Sequence, residues 1–277
     1  MLRSRVTLGL TLWLGAAATS AVVGREVLRR QAGVARRAIG LPHGDVAHTA
    51  DKTYAKQHGD PISLLLLGDS IAAGLGAEKA KHTLGAQLSK RLAKKTRRSV
   101  RLHTAARVGS ETSMVLGQVE GLPAGYVADV AVIIVGGNDV THRVRTTESV
   151  RQLSEVVEAL LARETAVVVG TCPDLGALRP IPQPLRTLGR RASRQLAAAQ
   201  REAVTDLGGR AVSLAEVVGP FFVTQPDEMF SLDRFHPSGA GYRRTAKALL
   251  PSVLAALGYE EQVPFGHHPP APLAGSR

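Results

Sequence analysis

Short apolar runs alternate with longer segments of helical periodicity along most of this chain. Four runs are rich in β-branched residues or leucine, at 62–67, 130–135, 166–171 and 210–215, and a weaker run lies at 99–105. Runs without polar alternation indicate strands buried on both faces of a sheet. The segments 84–95, 148–163 and 186–206 repeat apolar residues three and four positions apart, as amphipathic helices do. The alternation predicts one α/β domain, a parallel sheet of five strands between helices.

The N-terminal segment has the features of a targeting or membrane-anchoring sequence. Residues 6–24 are uncharged and mainly apolar, and they follow Arg3 and Arg5. This pattern predicts a signal peptide or membrane anchor at 1–30, with cleavage allowed by the small residues of AAATSA. Arginines between 25 and 37 oppose export, because positive charge favours the cytoplasmic side. A buried helix of the domain is the alternative. We expect an exported, extracytoplasmic or membrane-anchored protein with membrane contact through this segment.

Two further segments flank the predicted domain at 61–260. Residues 31–60 show no sustained apolar period, which predicts a linker. Residues 261–277 are rich in proline, glycine and alanine, which predicts a disordered tail. His267 and His268 in this tail are a weak metal signal, and we predict neither a metal site nor a cofactor.

Charge and cysteine content restrict the class of partner. The chain has 35 lysine and arginine residues against 23 aspartate and glutamate residues, a formal net charge of +12. Residues 79–107 contain basic residues and no acidic one, but no aromatic residue that could stack on bases. We expect a solvated helix face there and no nucleic acid partner. The single cysteine, Cys172, excludes an internal disulfide and follows a predicted strand, where a small packing residue is expected rather than a reactive thiol.

Polar motifs stand where the predicted strands end. Gly68-Asp69-Ser70 follows the first strong run, and Gly109-Ser110 follows the weak run. Gly136-Gly137-Asn138-Asp139 follows the next run, and Asp233 and His236 precede the last predicted helix. Ligands of open parallel sheets bind beyond the carboxyl ends of the strands, so we expect these residues to converge at one edge.

The residue types suit nucleophilic catalysis. A serine hydroxyl such as that of Ser70 is a poor nucleophile until a base removes its proton. His236 can take that proton and return it to a leaving group, because imidazole titrates near neutrality. Asp233, three residues earlier, can accept the other ring N–H and fix the tautomer. Ser70, Asp233 and His236 are therefore the predicted catalytic residues.

With these motifs in this order, the chain resembles the SGNH hydrolases, also called the GDSL esterase/lipase family. The resemblance rests on Gly68-Asp69-Ser70, on the GGND motif at 136–139 and on the DRFHP motif at 233–237. It extends over about 62–258. It implies a three-layer α/β/α sandwich with a five-stranded parallel sheet, the flavodoxin-like fold of these hydrolases.

The resemblance also implies an oxyanion site. Its donors would be the backbone N–H of Ser70, the backbone N–H of a glycine in the second motif, and the side-chain amide of Asn138. The family usually has that glycine two residues before a threonine. Here Ser110 stands in that place before Thr112, and Gly109 is one position earlier. We take Gly109 as the candidate donor, with Ser110 as the alternative.

Two loops are expected to shape the substrate pocket. Residues 173–186 contain four prolines and form a stiff, lid-like strip. Phe221, Phe222 and Phe230 precede the predicted base, where they would either line an acyl pocket or pack beneath a loop.

These features predict a serine esterase that hydrolyses short- to medium-chain acyl esters through an acyl-enzyme on Ser70. The substrate would be a small-molecule, lipid or glycan acyl ester. A thioesterase or lysophospholipase would use the same residues. A non-catalytic envelope module that binds anionic polymers through 79–107 is the alternative from another class. The joint presence of Ser70, Asn138, Asp233 and His236 argues against that module.

Overall fold

A seven-stranded sheet forms the centre of the protein. The computed structural model describes residues 23–35, 37–39 and 46–272. The strands are β1 (Thr53–Tyr54), β2 (Pro61–Gly68), β3 (Ser99–Thr104), β4 (Val130–Ile134), β5 (Ala166–Gly170), β6 (Arg210–Val212) and β7 (His267–His268). Their order in space is β1-β3-β2-β4-β5-β6-β7. The five central strands are parallel, which confirms the predicted sheet, and β1 and β7 are antiparallel additions at its edges.

Helices cover both faces of this sheet. From residue 46 onward, the α-helices are α1 (Ser70–Ala73), α2 (Leu84–Thr96), α3 (Val115–Glu120), α4 (Gly137–His142), α5 (Thr146–Leu161), α6 (Leu185–Asp206), α7 (Leu214–Val217), α8 (Gly219–Thr224), α9 (Pro226–Met229) and α10 (Gly239–Ala256). Short 3-10 helices lie at Lys56–His58, Ala80–His82, Thr112–Met114 and Leu175–Ala177. Helices α2 and α10 pack on one face, and α3, α5 and α6 pack on the other. The predicted three-layer α/β/α sandwich is therefore confirmed.

The leucine run in β2 shows why its sequence lacks polar alternation. Leu64 and Leu66 belong to the apolar cluster under α2 and α10. Leu65 and Leu67 belong to the cluster on the opposite face. Because successive strand residues point to opposite faces and helices cover both, all four leucines are buried. Burial of each such side chain contributes about 1.5–3 kcal/mol of hydrophobic free energy.

The predicted linker at 31–60 is wrong for its second half. Tyr54 and Ala50 are buried in the core, and β1 pairs with β3. The Asp51 carboxylate also accepts a hydrogen bond from the Thr104 N–H at 2.8 Å. A two-residue strand is too short to produce a period in the sequence, because the existing sheet edge supplies its hydrogen-bonding partner.

The N-terminal part of the described chain is helical. Residues 23–35 and 37–39 are in helical conformation, so the linker prediction is also wrong at 31–35. The side-chain oxygen of Gln31 accepts a hydrogen bond from the Leu185 N–H at 3.1 Å, which joins this helix to the start of α6. Residues 1–22 and 40–45 lie outside the described residues, and so does most of the predicted signal or anchor. Among the helices described, none combines the length and apolar character needed to cross a membrane.

The predicted disordered tail is wrong at 261–268. Strand β7 pairs with β6, and His267 Nδ1 lies 2.8 Å from the Ser252 hydroxyl. His268 Nε2 lies 2.9 Å from the Ser213 hydroxyl. Burial lowers the pKa of both imidazoles, so the neutral rings act as hydrogen-bonding groups at the sheet edge. Over the described ranges, no three His, Cys, Asp or Glu side chains are placed to hold a metal ion.

The basic segment and the cysteine lie as predicted. Helix α2 buries its apolar residues against the core and exposes Lys90, Lys94 and Lys95 to solvent. Cys172 is fully buried beside Leu196. Burial raises the pKa of its thiol well above the ordinary value, which leaves it protonated and unreactive.

Candidate active site

A glycine turn places Ser70 at the carboxyl edge of the sheet. Gly68 ends β2 with a φ of +123°, and a Cβ there would lie 1.9 Å from the carbonyl oxygen of Ile134. Only glycine allows this approach of the two backbones. The Asp69 carboxylate then accepts a hydrogen bond from the Ile71 N–H at 2.9 Å and caps α1. Ser70 is therefore the first residue of a helix that begins directly at the end of a strand.

Ser70, His236 and Asp233 form a continuous hydrogen-bonded series. The Ser70 hydroxyl oxygen lies 2.9 Å from His236 Nε2. His236 Nδ1 lies 2.6 Å from Asp233 Oδ2. All three residues are buried, at 7%, 8% and 4% relative exposure. The structure thus brings together three residues that the sequence analysis selected from two distant segments.

Hydrogen bonds to Asp233 determine the protonation of this series. Burial opposes ionisation of its carboxyl group, but hydrogen bonds from His236, Phe235 and Ser231 outweigh burial and hold its pKa well below the ordinary value. Its Oδ1 accepts from the Ser231 hydroxyl at 2.7 Å and from the Phe235 and His236 N–H groups at 2.9 Å. An ionised Asp233 requires the imidazole proton at Nδ1. His236 Nε2 is then free to accept the Ser70 proton.

The second buried carboxyl group, Asp69, behaves differently. Burial raises its pKa to about 7, and the nearby charge of Asp139 adds to that effect. Hydrogen bonds from Ile71 and Ala72 and the charge of His236 act in the opposite direction. Asp69 is therefore close to half-protonated at neutral pH and acts here as a helix cap.

The candidate oxyanion donors are only partly brought together. Asn138 lines the same cavity as Ser70 and His236, and its side-chain amide donates to the Ser110 carbonyl oxygen at 2.9 Å. Ser110 is buried and Gly109 is exposed, and neither residue is among those that line the cavity. The Ser110 N–H also donates to the Arg107 carbonyl at 3.3 Å, which closes a turn.

This turn accounts for the glycine at position 109. Gly109 occupies the third position of the turn with a φ of +81°, where type II turns favour glycine. The glycine is thus required by local backbone geometry. Ser110, the residue in the family's usual glycine position, is the one joined to Asn138.

An apolar cavity of about 80 Å³ adjoins Ser70, and we call it the acyl cavity. Its walls include Leu175 and Leu178 from the loop after β5, and Phe222 and Phe230 from the loop before His236. The two aromatic rings meet edge to face with centroids 4.8 Å apart. Both loops selected from the sequence therefore contribute walls. Phe221 does not, and its ring instead lies 4.0 Å from the Arg244 guanidinium.

Comparison with known proteins identifies the family. Residues 66–244 match the GDSL-like lipase/acylhydrolase family. The GDSL-like esterase Rv1075c of Mycobacterium tuberculosis (strain ATCC 25618 / H37Rv) is 35% identical over 281 residues, which cover 98% of this chain and 89% of the relative. The chain belongs to the GDSL-like lipase/acylhydrolase family. It is accordingly a carboxylic ester hydrolase, and the resemblance stated from its motifs is confirmed.

Solved structures of low sequence identity share the fold of this hydrolase. The lipase Lip_vut3 from a goat rumen metagenome aligns with a TM-score of 0.56 and 19% identity, covering 72% of this chain and 98% of its own. The psychrotrophic esterase EstA of Pseudoalteromonas sp. also aligns with a TM-score of 0.56, at 17% identity, covering 71% and 99% of the two chains. The hydrolase domain therefore has a widespread architecture.

Gln118 is a residue of the site that the sequence analysis missed. Its side-chain oxygen accepts from the Gly68 N–H at 2.8 Å, and its amide nitrogen donates to the Gly68 carbonyl at 2.8 Å. The same nitrogen donates to the Ser110 hydroxyl at 3.1 Å. Gln118 is 2% exposed. It therefore joins the turn before Ser70 to the loop that contacts Asn138. The sequence signal for Gln118 is a polar residue on the buried face of α3, which it shares with Val115 and Val119.

Gln118→Leu is predicted to lower turnover more than binding. The substitution leaves the buried Gly68 N–H without its partner, at a cost of about 1–3 kcal/mol, and releases the Ser110 loop. We expect kcat for a 4-nitrophenyl ester to fall about tenfold or more with little change in KM. Steady-state kinetics well below the thermal midpoint of each protein will measure this. Gln195→Leu, an exposed position on α6, is the control. Equal kcat in both variants would contradict the role of Gln118.

Proposed function

We propose that the hydrolase cleaves carboxylic esters through a covalent acyl-enzyme on Ser70. The observation that carries this proposal is the series Ser70–His236–Asp233, with contacts of 2.9 and 2.6 Å. His236 Nε2 removes the hydroxyl proton as Ser70 Oγ bonds to the ester carbonyl carbon. The imidazolium then donates this proton to the departing alkoxide as the ester C–O bond breaks. Water repeats the sequence on the acyl-enzyme, releasing the carboxylic acid and restoring Ser70.

Negative charge that develops on the carbonyl oxygen needs hydrogen-bond donors. We assign this role to the backbone N–H of Ser70, the side-chain amide of Asn138 and the backbone N–H of Ser110. A substrate oxygen would replace the Arg107 carbonyl as the acceptor of the Ser110 N–H. Asn138 supports the assignment because the hydrogen bond to Ser110 uses one of its two amide hydrogens and leaves the other for substrate. Loss of one such donor typically costs about 3 kcal/mol of transition-state stabilisation.

The covalent mechanism predicts different effects for substitutions of Ser70 and of Asp233. A fluorophosphonate probe will label the wild type, and Ser70→Ala will abolish labelling because the attacking oxygen is missing. Asp233→Asn will keep Ser70 in place but lower kcat by roughly 10³- to 10⁴-fold, since Nδ1 loses its anionic acceptor. Labelling is read by mass spectrometry of the peptide containing Ser70. The exposed Ser113→Ala variant should label like wild type. A folded wild type that neither labels nor hydrolyses 4-nitrophenyl acetate would refute the mechanism.

The acyl cavity favours short acyl groups. Its volume is about 80 Å³, whereas an engineered apolar cavity that binds benzene has a volume of about 150 Å³. This size argues against a lysophospholipase that accepts long chains. A short-chain thioester would meet the same catalytic residues. The contacts between Ser70, His236 and Asp233 argue against a non-catalytic module.

The wall of the acyl cavity predicts the chain-length profile. For 4-nitrophenyl esters, kcat/KM will be highest between acetate and butyrate and about tenfold or more lower for decanoate. The small cavity has no room for the extra methylenes, and a chain bent out of it displaces the ester carbonyl from Ser70. Phe222→Ala removes part of the wall and will shift the preference toward longer chains. Phe221→Ala, which alters a neighbouring ring outside the cavity, is the matched control. A flat profile in the wild type, or equal shifts in both variants, would contradict the assignment of this cavity.

We also propose that the hydrolase acts outside the cytoplasm, either secreted or anchored by its N-terminus. The uncharged apolar segment 6–24 behind Arg3 and Arg5 supports this. In a bacterial host, we expect the full chain in the membrane or extracytoplasmic fraction and a chain lacking residues 1–22 in the cytoplasm. Removal at this point retains Gln31 and its contact with Leu185. Cytoplasmic recovery of the full chain would overturn the proposal.

A further inference from the structure

A second cavity lies behind one wall of the acyl cavity. The 3-10 helix Leu175–Ala177 separates the two, and Ala177 lines both. The second cavity has a volume of about 250 Å³. Its polar side chains are those of Arg179, Gln183, Arg186, Thr187 and Arg190. We call it the arginine cavity.

The arginine cavity concentrates positive charge. Three guanidinium groups line it, and no carboxylate of the described residues does. Arg186 and Arg190 are four residues apart on α6, so their charges repel each other along one helix face. Over the described ranges, no carboxylate forms an ion pair with Arg179 or Arg186, whereas Asp174 pairs with Arg190. An anion in the cavity would relieve this repulsion.

Two of the guanidinium groups are held in place by hydrogen bonds to other residues of the protein. Arg190 Nε donates to Asp174 Oδ2 at 3.2 Å. Arg179 Nη2 donates to the Val223 carbonyl at 3.2 Å. Gly176 lets the Arg190 stem lie against the turn, because a Cβ at this glycine would lie 2.8 Å from that side chain. Each guanidinium group keeps further N–H donors, so the donors are positioned before a ligand arrives.

A neutral donor completes the lining. The Gln183 side-chain oxygen accepts hydrogen bonds from the Thr187 hydroxyl at 2.7 Å and the Thr187 N–H at 3.2 Å. Its acceptor capacity is therefore used within the protein, and its amide N–H₂ group remains to donate. The cavity presents donors almost exclusively, as binding of phosphate or carboxylate requires.

We propose that the arginine cavity binds an anionic group of the substrate, a phosphate or carboxylate, while the ester carbonyl lies at Ser70. This inference rests on the proposed function, which places the acyl group in the acyl cavity. The turn Leu175–Ala177 separates that cavity from the arginine cavity, so the anion must lie on the alcohol part, which leaves the acyl cavity at Ser70. The preferred substrate is thus a short-chain acyl ester that carries a negative charge on its alcohol part. Arg179 and Arg186 are its specificity-determining residues.

Phosphate binding tests the cavity without any ester chemistry. Isothermal titration of full-length Ser70→Ala protein with sodium phosphate, against sodium chloride of equal ionic strength, will give a dissociation constant. Adding Arg179→Gln and Arg186→Gln will weaken phosphate binding about tenfold or more, since charge-assisted hydrogen bonds are lost. Arg191→Gln, an exposed arginine on the same helix outside the cavity, is the control. Equal phosphate affinity in the two sets would overturn the proposal.

Paired substrates then test the link to catalysis. Mono-4-nitrophenyl succinate carries its charge on the acyl part, and butyryl glycerol 3-phosphate carries it on the alcohol part. 4-Nitrophenyl butyrate and butyryl glycerol are the neutral partners. The Arg179→Gln/Arg186→Gln variant will raise KM about tenfold for butyryl glycerol 3-phosphate and leave the other three substrates unchanged. An increase for the succinate ester instead would contradict the placement of the anion on the alcohol part.

The outcomes separate the two proposals. Phosphate binding that depends on Arg179 and Arg186 without any ester hydrolysis would refute the proposed function but retain an anion site. Hydrolysis with equal KM changes for charged and neutral substrates would leave Ser70 chemistry intact and overturn the substrate role of the arginine cavity.

Discussion

The close approach of the Gly68 backbone to the Ile134 carbonyl is the constraint on which the site depends. At this point β2 must end beside β4 without separating from it, and only a residue that lacks a Cβ fits. The Asp69 N–H immediately donates to the Ile134 carbonyl at 3.0 Å, so the turn remains bonded to the sheet. The Gln118 side-chain oxygen accepts a hydrogen bond from the Gly68 N–H. The Gly68 carbonyl accepts hydrogen bonds from the Gln118 side-chain amide and from the Arg107 N–H. The backbone conformation of the turn that places Ser70 at the sheet edge is therefore fixed by these contacts.

A difference in hydrogen bonding gives two buried carboxyl groups of the site, those of Asp233 and Asp69, opposite pKa shifts. Asp233 is bonded through both oxygens to His236, Ser231 and Phe235, and its pKa falls despite burial. Burial raises the pKa of Asp69, which lies near a further buried carboxylate, that of Asp139. Of Asp69 and Asp233, the one that faces the imidazole is thus the fully ionised one. An imidazolium formed during catalysis is stabilised there, and a competing fixed charge next to Ser70 is reduced.

The sequence predicts the parts of this protein whose signals are local. The apolar runs predict the five parallel strands, and the spacing of Asp233 and His236 predicts their contact. The sequence does not predict strands β1 and β7, because these two-residue strands form by pairing with the neighbouring edges of β3 and β6. A glycine at position 109 fits both a turn and an oxyanion site, and only the fold shows the turn that its backbone forms. Gln118 escapes because its partner Gly68 lies fifty residues earlier in the chain.

Asp174 shows how the two cavities depend on one side chain. It lies in the wall of the apolar acyl cavity, where an unpaired carboxylate would be costly to bury. Its Oδ1 accepts from the Gly176 N–H at 2.8 Å and shapes the separating turn. Its Oδ2 accepts from Arg190 and from Arg194, at 2.9 Å for the shortest contact. The same ion pairs neutralise charge beside the acyl group and orient a guanidinium toward the arginine cavity. A carboxylate at this position thus makes an apolar cavity and a cationic cavity compatible on opposite sides of one turn.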